Sequence, residues 1–225
     1  MIILTSKKIP ESVLAYFDQT VFLPDNPKIE SKVAFHTDLS VFSFGDTFIC
    51  APYLFEFLSR KIQNISVICG TESCSPYPYE IAYNAALVGN KLLCKTEYTC
   101  KIILEKCLER GITPVNVSQG YAKCSTVVVN DNSVITSDRS IQKAAEKEGI
   151  NALFVSNEGV FLNGYPNGFI GGASVVTDKE VIFIGNISCS PDAQKIIDFV
   201  ETNGKKVVSF PEEKLYDIGS PIALF

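Results

Sequence analysis

The chain's single histidine, His36, stands two residues before Asp38, and a Cys124-Ser125-Thr126 run precedes a β-rich segment much further along. A thiol becomes a nucleophile as its thiolate. Its unperturbed pKa of about 8.5 means that a neighbouring base or cation must help it ionise at neutral pH. If Cys124 and His36 meet, His36 accepts the thiol proton and later protonates a leaving amine, while Asp38 orients the imidazole or binds a substrate N–H. Lys123 is a second candidate for activating the thiol, although alternation along an extended chain points it away from Cys124. Plainer readings stand beside these: Cys124 as a packed thiol, one of eight cysteines, and His36 and Asp38 as parts of a solvent-facing turn. An H-x-D that begins a β run would put both side chains on one face.

Positioning such distant residues requires a fold that brings them together, and the sequence carries a repeat of the form strand, strand, helix, strand. The clearest copy predicts strands at Ser125–Val129 and Ser133–Thr136, a turn at Asn130-Asp131-Asn132, a helix Asp138–Glu148 capped by Ser137, and a strand Ala152–Val155. A second copy has Ser174–Thr177, Val181–Ile184, a helix from Ser190-Pro191-Asp192 to Gly204, and Lys206–Phe210. Another has Ala85–Val88, Leu92–Lys95, a helix Thr96–Arg110, and Thr113–Val117. A fourth has Leu39–Phe44, Phe48–Ala51, a helix Pro52–Arg60, and Ile65–Cys69. The chain ends complete a fifth: Ser220–Phe225 as its first strand, then Ile2–Thr5, a helix Pro10–Phe17 and a strand near Val21–Leu23. The expectation is one α+β domain over residues 1–225, a five-bladed ββαβ pseudo-fivefold propeller closed by pairing of the N- and C-terminal strands. The alternative is an ordinary α+β sandwich with neighbouring termini.

In such a ring the starts of equivalent strands converge near the axis. Those segments hold His36 and Asp38, Asn84, Cys124, the Gly171-Gly172 pair and Asp217. Asp217 and Asn84 are candidates for substrate binding or, alternatively, turn and cap residues. Gly171 and Gly172 permit close backbone approach to a ligand or a tight strand entry. The loops Tyr77-Pro78-Tyr79 and Asn163–Gly168 feed two of these starts and could cover a central pocket.

These features resemble the pentein fold of guanidino-group-modifying enzymes. The His36-x-Asp38 stretch is similar to the H-x-D of arginine deiminase, and Cys124-x-Thr126 to the C-x-T of dimethylargininase; the whole chain looks like a bacterial group of pentein-fold proteins. The resemblance implies covalent attack by Cys124 on the planar carbon of an amidine or amide, with His36 as general acid and base, then hydrolysis. One departure is marked. The Glu-Asp pair with which dimethylargininase grips a guanidinium corresponds here to Gly171-Gly172, within Phe169-Ile170-Gly171-Gly172-Ala173-Ser174. Losing charge-assisted hydrogen bonds worth about 1.5–3 kcal/mol each disfavours arginine-like substrates unless Asp38 or Asp217 substitutes. Two functions follow as expectations: a thiol-dependent C–N hydrolase of a small amidine or amide, or a noncatalytic binding or scaffold protein like the ribosome anti-association factor of this fold. A thiol-dependent small-molecule sensor is a third.

Composition narrows the partners. A net charge of −5 without a basic run offers nothing for nucleic acid or an anionic membrane. The start Met1–Lys8 lacks a signal-peptide core, and no apolar run has the roughly 18 residues of a membrane helix, so a cytoplasmic protein with reduced thiols is expected. No CxxC occurs, and no metal or cofactor is implied. The aromatic run from Phe42 to Phe57 lacks interleaved cations and reads as core packing or a subunit contact. A small molecule is the expected ligand.

Overall fold

The computed structural model describes residues 1–63 and 65–224. Alternating apolar strands and single amphipathic helices build the same unit five times. The first begins with β1 (Ile2–Thr5), α1 (Glu11–Leu14) and β2 (Gln19–Phe22). Next come β3 (Val41–Phe44), β4 (Thr47–Cys50), α2 (Pro52–Lys61) and β5 (Ser66–Cys69), then β6 (Ala86–Val88), β7 (Lys91–Cys94), α3 (Lys101–Glu109) and β8 (Thr113–Asn116). The chain continues with β9 (Thr126–Asn130), β10 (Ser133–Thr136), α4 (Arg139–Lys147) and β11 (Asn151–Phe154), and after the short β12 (Val160–Phe161) with β13 (Ser174–Val176), β14 (Glu180–Phe183), α5 (Ala193–Thr202) and β15 (Lys206–Val208). A short β16 (Leu215–Tyr216) precedes β17 (Ile222–Leu224).

In every unit the middle strand pairs antiparallel with the first and, across a helical crossover, parallel with the third. The two chain ends share one sheet: β17 pairs antiparallel with β1, Ile2 opposite Leu224 and Leu4 opposite Ile222, and β1 pairs parallel with β2. Phe225, the end of the predicted last strand, lies outside the described residues. Each three-stranded sheet is open. First strands are neighbours across units, β6 beside β9, β9 beside β13 and β13 beside β17. A parallel pair of β12 and β16 adds a small sheet that the repeat pattern does not foretell.

Local chemistry moves several boundaries. Asp138, rather than Ser137, caps α4: its Oδ1 accepts from Ser140 N at 2.8 Å and Ile141 N at 3.0 Å. A carboxylate satisfies two orphan N–H groups at once and favours the helix dipole. α3 begins at Lys101 instead of Thr96, because residues 96–99 form a turn in which Thr99 Oγ1 donates to the Lys95 carbonyl at 3.0 Å. The predicted β run at Leu39 is a 3-10 turn over Thr37–Leu39, with β3 starting at Val41. Phe42, Phe44 and Phe48 are core residues. All eight cysteines are free thiols. Among the described residues no helix is long and apolar enough to cross a membrane.

Candidate active site

The segments that open the first strands come together. His36, Asp38, Asn84, Cys124 and Asp217 are each no more than 3% exposed and come from four separate stretches of chain. The thiol of Cys124 donates to Asp38 Oδ2 at 2.8 Å and lies 4.0 Å from His36 Nδ1. On the other edge of the imidazole, His36 Nε2 is 3.8 Å from Asp217 Oδ1 and makes no hydrogen bond. Asp38 Oδ1 is likewise buried without a partner. Two unsatisfied polar atoms on neighbouring functional groups are costly unless a ligand meets them.

Asn84 holds the cysteine in place. Its Oδ1 accepts from the backbone N–H of Lys123 at 2.7 Å and of Cys124 at 3.2 Å, and its Nδ2 donates to Cys124 Sγ at 3.3 Å. Asn84 is thus tied to Cys124 itself, where the sequence alone suggested either a ligand contact or a turn.

The 3-10 turn separates His36 from Asp38, which overturns the expectation that they share a strand face. Asp38 N donates to the Gly219 carbonyl at 3.1 Å, which locks the turn against the loop carrying Asp217. That loop is clamped from the other side, since Ile218 N and Ser220 N both donate to the Gly172 carbonyl at 3.1 Å. Gly219 has φ +78°, and a Cβ there would collide with His36, so only glycine fits.

Gly171 and Gly172 have a steric purpose. A Cβ at Gly171 would run into the carbonyls of Lys123, Cys124 and Thr126, and one at Gly172 into the carboxylate of Asp217. The glycine pair therefore leaves room for a carboxylate delivered from elsewhere in the chain. Asp217 Oδ2 accepts from Phe169 N at 2.8 Å and Oδ1 from Gly219 N at 3.0 Å, charge-assisted bonds that fix its orientation.

Burial dominates the protonation equilibria. It pushes His36 down to about 4, with the charge of Asp38 opposing, so the imidazole is neutral near pH 7. It pushes Asp217 up to about 7 against the Phe169 and Gly219 amides and the charge of Lys123. Asp38 is raised by burial, with His36 opposing. Cys124 is held well above the ordinary thiol range by burial and then by the charges of Asp38 and Asp217, with the Asn84 amide opposing. The cluster is one of acidic groups whose nearby cation, Lys123, acts on them by its charge but makes no ion pair with them among the described residues. His36, Asp38 and Cys124 also offer three ligand atoms within 4.8 Å of one another, a donor set a metal could use. Two ligands on tetrahedral zinc stand roughly 3.5 Å apart given the usual bond lengths. The 2.8 Å sulfur–carboxylate contact is shorter, and fits a shared proton.

A cavity of about 200 Å³ opens on the cluster, lined by His36, Cys124 and Asp217 together with Tyr121, Leu162, Tyr165 and Phe169 among others. Tyr165, Pro166 and Asn167 belong to the loop that the sequence marked as a cover. Tyr121 was missed, yet the turn bonded from Ser125 N to the Tyr121 carbonyl at 2.9 Å brings it beside Cys124. The Tyr77 ring packs against it, tilted, at 5.6 Å between centroids, and the Tyr121 hydroxyl donates to the buried Glu80. A second cavity, about 350 Å³, shares none of these residues; Asp38 and Lys123 line it with Val41, Leu87, Val128 and Ile222 of four first strands. Lys123 thus opens onto a different cavity from Cys124. Its ammonium has no ion pair among the described residues, and burial lowers its pKa.

Three solved structures share this architecture. DDAH from Pseudomonas aeruginosa, a cysteine-to-serine mutant complexed with citrulline, matches with a TM-score of 0.57 at 10% identity, covering 93% of this chain and 90% of that one. A histidine-to-glycine variant of dimethylarginine dimethylaminohydrolase, an adduct with S-methyl-L-thiocitrulline, gives 0.58 at 10% identity over 93% and 91%. Agmatine deiminase from C. jejuni gives 0.52 at 8% identity over 92% and 74%. At such identities the likeness shows the fold, which is that of the pentein enzymes. No curated protein matches the sequence. A model of a family of unknown function, DUF6873, matches residues 4–222.

Proposed function

We propose that this chain, which belongs to the DUF6873 family, is a thiol-dependent C–N hydrolase of the pentein superfamily acting on a small amidine or amide. The observation that carries the reading is the cluster of Cys124, His36, Asp38 and Asp217 with its unpartnered polar atoms: Cys124, His36 and Asp217 line one cavity, and Asp38 meets the sulfur from the side of the second. It differs from the first expectation in its division of labour. Asp38 holds the thiol proton, and Asp217 faces the outer nitrogen of His36, where it orients the imidazole and stabilises its charged form.

A cationic amidinium suits a site with two carboxylates and no ion-paired counter-cation among the described residues. Its arrival lowers the pKa of the thiol and of both acids. The thiolate then attacks the amidine carbon, the thiol proton having passed to the Asp38–His36 pair. The C–N bond breaks as His36 protonates the departing ammonia, leaving a thioimidate on Cys124. Water attacks that carbon, giving His36 a proton, and sulfur leaves as thiolate with release of the amide. Asn84 Nδ2 donates to the sulfur and stabilises it in both anionic states.

In this reading residues 1–225 form one domain whose five units are blades of a ring closed by the β1–β17 pair, supported by that pairing and by the neighbouring first strands. The protein works in the cytoplasm on a small molecule, without nucleic acid, membrane or cofactor. Selective alkylation tests the chemistry. Cys124 should react with 2-chloroacetamidine much faster than the other seven thiols, and His36→Ala should slow it. Uniformly slow labelling would favour instead a noncatalytic binding protein of the same fold.

A further inference from the structure

We infer that the substrate carries a compact apolar or aryl group on its amidinium carbon and is not an amino acid; this rests on the hydrolase reading above. The cavity has charge only at its chemical end. His36, Cys124 and Asp217 face one part of the ligand, and the remaining contacts available include Val33, Leu162, Tyr121, Phe169 and Tyr165, all apolar or aromatic. Its volume of about 200 Å³ falls below the roughly 300–1,000 Å³ of sites for drug-sized ligands, so an extended zwitterionic tail has little room.

Among the described residues no ammonium or guanidinium lines this cavity. The three arginines are engaged elsewhere, Arg60 with Glu56, Arg110 with Asp46 and Arg139 against the ring of Phe154. Lys123 opens onto the second cavity. Lys32 lies against a cavity residue, its Nζ 5.6 Å from the Tyr165 ring centroid, but it pairs with Glu30 Oε1 at 3.7 Å and does not line the cavity. A carboxylate on the substrate tail would lose its water here with no cation to replace it. An aryl or short alkyl tail would instead lie against Phe169 and the two tyrosines, whose faces also attract the delocalised positive charge of the amidinium.

The test is protection of Cys124 from 2-chloroacetamidine in the intact protein, read by mass spectrometry, with benzamidine, benzamide, agmatine and L-arginine as competitors. Benzamidine should half-protect at a concentration at least roughly tenfold below that of L-arginine or agmatine, and neutral benzamide should protect poorly. Tyr165→Ala, in an exposed loop and safe for folding, should reduce the benzamidine advantage several-fold. Equal or better protection by L-arginine, above all if Lys32→Ala abolishes it, overturns the apolar-tail inference and leaves the thiol chemistry standing. Failure of Cys124 to label ahead of the other cysteines removes the hydrolase reading, and this inference with it.

Discussion

Asp217 places its Oδ1 in the space that a Cβ on Gly172 would need. The carboxylate and the missing side chain are complementary: the segment resembling a guanidinium-gripping Glu-Asp pair is bare because an acid from another part of the chain stands there. A carboxylate therefore serves the site from a new point of attachment, and the loss of the pair does not by itself argue against a cationic substrate.

Restoring an acid at Gly172 should therefore be harmful unless Asp217 is removed. Gly172→Asp is expected to destabilise the protein by about 2–3 kcal/mol through overpacking and like-charge contact. Combining it with Asp217→Ala should recover part of that loss. Urea denaturation of the parent, both single variants and the double variant measures the coupling; additive effects would show that the two positions do not compete for space.

Asp217 also sets a pH dependence. Its folded pKa of about 7 stands above the ordinary 3.8, so between those values the folded protein keeps a proton that the unfolded chain has released. Stability from this group is full below about pH 4 and is lost as pH rises through 7, by up to about 4 kcal/mol. Asp217→Asn has no such proton. Its stability relative to the parent should climb from pH 4 to pH 8, from a deficit set by the lost backbone acceptor. His36 has the opposite sign, its contribution lost as pH falls from 6.5 towards about 4, so the variant-minus-parent difference is the informative curve. A flat difference would show that Asp217 is ionised throughout.

The sulfur should respond in opposite directions to its two polar neighbours. Asp38 accepts the thiol proton and adds negative charge, so Asp38→Asn should lower the thiol pKa and speed iodoacetamide alkylation of Cys124 several-fold at pH 7.5, while abolishing turnover. Asn84→Ala removes the amide donor and the acceptor for two backbone N–H groups. It should slow alkylation and cost about 1–3 kcal/mol of stability. Rates that move together would contradict the assigned contacts.

Gly219 is the tightest backbone constraint on the imidazole. Gly219→Ala should cost at least about 2 kcal/mol from its positive φ and the collision with His36. Alkylation of Cys124 should become less dependent on His36, as a comparison of Gly219→Ala with and without His36→Ala would reveal.

Much of this was legible in the residues. Strand runs such as Ser133–Thr136 and Val181–Ile184 alternate or sustain apolar residues between turn signals, and their repetition located all five units and the joining of the chain ends. Cys124, His36, Asp38, Asn84 and Asp217 stood out in the sequence because they lie before equivalent strands, and the structure brings them side by side. Their contacts were hidden, because the 3-10 turn at Thr37–Leu39 is fixed by the Gly219 carbonyl, a tertiary partner that no local pattern reveals. The purpose of Gly172 was hidden for the same reason, since its reason for being bare lies at Asp217. The walls of Tyr121 and Phe169 carry no signal of their own, as aromatic residues beside strands read first as core.

The antiparallel seam between β1 and β17 gives the molecule an unusual vulnerability. Residues 222–224 follow directly on the loop that bears Asp217, so a protease that trims them strips β1 of its mate and slackens an acid of the reactive cluster in a single cut. The same seam joins the two most distant parts of the chain, so the loop bearing Asp217 is anchored through a contact that spans nearly the whole sequence.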